Sequence, residues 1–74
     1  MTIQQYIEHL IADGCQVARV AVSDGYLPVV STINVSSGLV TIEHHTFEAP
    51  DICEFYNSTG DLVARARGFA SIQE

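Results

Sequence analysis

The sequence predicts an α+β domain. An N-terminal amphipathic helix packs on a four- to five-stranded antiparallel β-meander, giving two layers. Three observations predict it. Apolar residues recur at helical spacing only over the first dozen positions. Val and Ile outnumber Leu by 15 to 4 in the 74-residue chain, and β-branched side chains suit a pleated surface. Turn signals then cut the remaining residues into short segments of alternating polarity.

The helix is placed at residues 2–13. Ile3, Tyr6, Ile7, Leu10 and Ile11 fall at i, i+3, i+4, i+7 and i+8, which is one helical face. Thr2 followed three residues later by Gln5 reads as a capping box. Gly14 ends the helix by taking the left-handed conformation. A helix this short is marginal alone in water, so it must pack on something.

The first strand spans residues 16–23, with Ala18, Val20 and Val22 on one face and Val17, Arg19 and Ala21 on the other. Asp24-Gly25 is a strong hairpin signal, because a type I′ turn needs positive φ at both central residues. The second strand spans 26–35, with Leu27, Val29, Ser31, Ile33 and Val35 sharing a face. Pro28 cannot donate to a ladder and belongs at a strand start, a bulge or an edge. Ser36-Ser37-Gly38 forms the next turn. The third strand spans 39–47. Residues 48–51 break the pattern as a loop. Residues 52–56 form a short strand, with one helical turn starting at Pro50 as the competing reading. Asn57-Ser58-Thr59-Gly60 is a turn, and the last strand spans 61–67. Residues 68–74 are either a strand extension through Phe69 or a loose tail. Strands joined by short connections pair with their sequence neighbours.

Composition supports a single folded domain. Leu, Ile, Val and Phe supply 22 of 74 residues, above the ~20% below which charged chains stay disordered. No apolar run approaches the ~18 residues of a membrane span. No basic segment precedes an apolar stretch at the N-terminus, so the expected location is cytoplasmic. Cys15 and Cys53 form no C-x-x-C pair, which leaves two free buried thiols or, in an exported protein, one disulfide. Asn34-Val35-Ser36 and Asn57-Ser58-Thr59 match the glycosylation sequon, a chance match without a secretory context.

Three basic residues, all arginine, face nine acidic ones, for a net charge of −6. Counterion release from nucleic acid or an anionic membrane needs a cationic footprint, so neither is an expected partner. An acidic domain is attracted to a basic protein surface. The expected contact set is Glu43, His45, Glu48, Asp51, Glu54 and Tyr56, an aromatic group among carboxylates on a strand and its following loop. Glu43 and His45 share a strand face and could supply two metal ligands, but a site needs three or four, so no metal or other cofactor is expected. Arg65 and Arg67 lie two apart and project from one face, most simply to pair with carboxylates across the sheet. No G-x-S-x-G, Walker or G-x-G-x-x-G motif is present, and neither cysteine is placed at a helix N-terminus or strained elbow. The chain is therefore expected not to be an enzyme.

Both sheet faces carry apolar residues, with Val30, Val17, Leu39, Phe47 and Val63 opposite the helix-facing set. One helix cannot cover both. In size, charge and fold class the chain resembles small phage or mobile-element proteins that block a host machine by docking on it. The resemblance implies an inhibitor that occludes a basic, nucleic-acid-binding surface of a larger partner. The alternative is a homo-oligomeric structural subunit, such as a homodimer, joined through the exposed apolar face or an edge strand.

Overall fold

A computed structural model describes residues 1–23, 29–43 and 51–69. It has one N-terminal helix and an open five-stranded antiparallel sheet, the α+β arrangement predicted. The helix α1 spans Ile3–Ala12. The capping box forms as read: Thr2 Oγ1 accepts from the Gln5 amide at 3.2 Å, and Gln5 Oε1 accepts from the Thr2 amide at 2.9 Å. Ile3, Ile7 and Leu10 are buried, while Glu8, His9 and Asp13 face outward.

The strands are β1 (Arg19–Ser23), β2 (Val29–Ser36), β3 (Leu39–Ile42), β4 (Ile52–Tyr56) and β5 (Leu62–Arg67). Residues 52–56 are strand, so the competing helical turn is discarded. The turn between β2 and β3 carries positive φ at Ser37 (53°) and Gly38 (80°), the backbone a two-residue hairpin of this twist requires. Asn57 Oδ1 organises the β4–β5 turn by accepting from the amides of Thr59 (3.0 Å) and Asp61 (2.9 Å). The Asp24-Gly25 turn, Leu27 and Pro28 lie outside the described residues, as do His44 to Pro50.

The strand order is β3-β2-β1-β4-β5. This corrects the neighbour-pairing of a simple meander at one place: β4 pairs with β1 rather than with β3. The physical reason is the core. Pairing with β1 sets Phe55 against Val20 and Cys53 against Val22, and all four side chains are buried. Among the described strands, β3 is left as one edge and β5 as the other.

The core lies between α1 and one sheet face. Ile3, Ile7 and Leu10 cover Val20, Val22, Ile33, Val40, Ile42, Cys53 and Phe55. Gln4 Nε2 donates to the Val40 carbonyl at 3.1 Å and fastens the helix to β3. Three residues depart from the burial that strict alternation predicts. Val17 precedes β1 and is buried, so its assignment to the outer face is overturned. Val29 and Val35 share the core-facing side of β2 yet are each 46% exposed. A ten-residue helix is about 15 Å long and cannot roof an eight-residue strand of about 27 Å.

The chain end also differs from both readings of the sequence there. β5 stops at Arg67, and Gly68, at φ 82°, turns the backbone so that Phe69 enters the core. There it packs on Tyr6 (ring centroids 5.5 Å apart) and Phe55 (6.4 Å), and Tyr6 packs on Phe55 at 5.3 Å. Residues 70–74 lie outside the described residues.

Among the described residues, one buried polar side chain, Ser31, sits in this core. Ser31 is 2% exposed, and its hydroxyl finds no hydrogen-bond partner among the described residues. An unsatisfied buried hydroxyl costs ~1–3 kcal/mol. Ser31→Ala is therefore expected to stabilise the domain by about 1 kcal/mol, read as a higher urea midpoint. A lower midpoint would show that the hydroxyl has a partner.

Candidate interaction face

The sheet face opposite α1 is built by alternation. β1 places Arg19, Ala21 and Ser23 there, and register extends each into a row. Arg19 lies between Thr32 and Tyr56, Ala21 between Val30 and Glu54, and Ser23 beside Ile52. On the far side, Tyr56 meets Leu62, Glu54 meets Arg65, and Ile52 meets Arg67. A register shift at Phe55/Tyr56 adds one residue to β5. That residue, Val63, packs against the core, while Leu62 is 53% exposed on the open face. Val30 is 58% exposed.

Glu54 is the electrostatic centre. Its Oε1 accepts from the Tyr56 hydroxyl at 3.1 Å, and its Oε2 lies 3.6 Å from Arg65 Nε. Donating to Glu54 holds the Tyr56 phenol above the ordinary tyrosine pKa, with desolvation and the Glu54 charge acting in the same direction and Arg65 opposing. Arg65 is 58% exposed, so this pair orients side chains more than it stabilises the fold.

The residues expected to form the acidic patch are only partly brought together. Glu54 and Tyr56 touch. Asp51 precedes β4 and donates its amide to the Ser23 carbonyl at 2.9 Å. Glu43 stands at the end of β3, where its amide donates to the Thr32 carbonyl at 3.0 Å. Two strands separate it from β4, a distance of about 14 Å at ordinary strand spacing. His45 and Glu48 lie outside the described residues, as does Phe47.

Sequence reasoning missed the composition of the face. All three arginines, Arg19, Arg65 and Arg67, lie on it with two glutamates, Glu43 and Glu54. Among the described residues its formal charge is +1, so the remainder of the chain, at −7, outweighs it to give the net −6. Alternation within each strand was the available signal. The strand order that joins the rows was not legible.

Burial pushes the Cys53 thiol up to about 12, which makes it a poor nucleophile. Both cysteines are free thiols. Among the described residues no three His, Cys, Asp or Glu side chains gather as a metal site requires. Among them, too, no helix is long and apolar enough to cross a membrane. Comparison of the chain with protein-family models, curated proteins and solved structures finds no match.

Proposed function

We propose that this chain is a non-enzymatic protein–protein interaction module that binds through the open face of its sheet. The observation that carries the reading is a five-stranded sheet with its only described helix on one side. The other side presents Val30, Leu62, Ile52 and Tyr56 among arginines and glutamates. Apolar and aromatic groups within a charged rim are the composition of interfaces. The net charge of −6 still favours encounter with a larger partner that is basic overall. The contact itself is moved from an acidic strip to a face of mixed charge.

The test uses two exposed side chains whose replacement spares the core. Val30→Gln with Leu62→Gln is compared with wild type and with Glu8→Gln on the helix. Each bait is cross-linked in the same lysate, after circular dichroism has shown that all three fold. The face variant is expected to lose a partner that wild type and Glu8→Gln both retain. Equal recovery by all three baits sinks the reading.

Homo-oligomerisation is favoured by a separate observation: both edges, β3 and β5, end the sheet, and Leu39 on β3 is 63% exposed. It predicts a salt-insensitive dimer in sedimentation. A monomer at high concentration excludes it.

A further inference from the structure

We infer that the β5 edge is a docking site for an extended, acidic peptide segment, added as a sixth strand with carboxylates two residues apart. The inference rests on the interaction-module reading and names the chemistry of the one segment that meets the edge, whatever the charge of the rest of the partner. β5 ends the sheet, and no described strand pairs with its outer side. An edge offers unpaired amides and carbonyls to another strand. Arg65 and Arg67 project from that edge on the open face, ~7 Å apart by strand geometry. A shallow depression lined by Ile52, Arg65, Ala66 and Arg67 runs beside them. An antiparallel strand with Glu or Asp at i and i+2 would set one carboxylate against each guanidinium, the pairing that Arg geometry favours.

The charge pattern selects among occupants. A second copy of β5 is disfavoured, because the face-matched antiparallel registers centred on Arg65 or Ala66 bring guanidiniums opposite one another, and like charges directly opposite destabilise a pair. Nucleic acid cannot complete a main-chain ladder. An acidic peptide shares the Arg65 guanidinium with Glu54, 3.6 Å away, while Arg67 has no ion pair among the described residues and the remaining negative charge acts at longer range. At ~0.15 M salt, charges beyond about 8 Å are largely screened, whereas the direct pairs at Arg65 and Arg67 are not.

The probe is a fluorescein-labelled peptide, Thr-Val-Glu-Val-Glu-Val-Thr, titrated with the whole chain and read by anisotropy. Saturable binding is expected, weakened about tenfold or more by the double variant Arg65→Gln, Arg67→Gln, a loss of about 1.4 kcal/mol. The Lys-for-Glu peptide is expected not to bind. Blocking alternate peptide amides by N-methylation is expected to abolish binding if those amides pair with the edge, and methylating the other set is not.

Four results overturn the inference: no saturation at millimolar protein, undiminished binding by the double variant, tighter binding of the lysine peptide, or tighter binding of a single-stranded oligonucleotide. These outcomes leave the wider reading standing if the Val30/Leu62 contrast still holds. Failure of that contrast with intact peptide binding would instead remove the open face and keep the edge.

Discussion

Replacing Phe55 with alanine is expected to unfold the domain. Phe55 is 0% exposed and heads the largest fully buried side chains. It holds together parts of the chain distant in sequence. Its ring meets Tyr6 of α1 at 5.3 Å and Phe69, beyond β5, at 6.4 Å, and its backbone lies in β4 between β1 and β5. Phe→Ala in a core costs ~3–5 kcal/mol, and lost aromatic pairs add ~0.5–1.5 each. Small domains have about 0.05–0.15 kcal/mol per residue, on the order of 4–11 for this length. The loss is therefore comparable with the whole stability. Far-UV circular dichroism at 25 °C reads the outcome directly. A cooperative urea transition within about 1 kcal/mol of wild type, well below the ~3–5 expected, would show that the aromatic cluster is dispensable.

The second large effect is alkaline destabilisation through Cys53. Burial raises its thiol from 9.0 to about 12 in the folded state, so folding favours the neutral form. Below pH 9 both states hold the proton and stability is complete. Between pH 9 and about 12 the unfolded chain releases it while the folded chain does not. Stability then falls with rising pH at ~1.36 kcal/mol per pH unit, by up to about 4 kcal/mol across the interval. Tyr56 is raised in the same direction, but its phenol begins to matter only above the ordinary tyrosine range. Urea midpoints at pH 7.5, 8.5 and 9.5 read the thiol before the phenol, whose ordinary value is 10.0, has released much of its proton. Cys53→Ala should flatten the decline over that interval whatever its own baseline stability. An equal slope in the variant would rule out the thiol as its source.

Local features were legible in the sequence because their causes are local. The capping box at Thr2 and Gln5, the helical face of Ile3, Ile7 and Leu10, and the turn at Ser37-Gly38 each link residues no more than four positions from the next. The fold class follows from them. The partner of β4 was not legible, since any alternating segment can pair with any other until side chains are packed. Phe55 on Val20 and Cys53 on Val22 decide it. The site inherits that difference. Glu54 and Tyr56 were named and do touch, but Glu43 belongs to the opposite edge strand, and Arg19 enters the face only once β1 and β4 are neighbours. Phe69 was obscure for another reason: Gly68, at positive φ, breaks the strand whose alternation would have carried the ring outward.

The position of β1 at the centre of the sheet also has a consequence for biosynthesis. Its pairs with β4 join residues 29 to 37 positions apart, whereas β2–β3 and β4–β5 close as local hairpins. Loop closure of that span must precede its reward. At ~5–20 residues per second, Tyr56 is added on the order of 2–7 s after Ser23. Through the first part of that interval β2 is also unfinished, and until β4 arrives Val20 and Val22 belong to a strand with at least one side unpaired. Until β4 docks, the central strand is therefore a temporary edge, open to pairing with another chain.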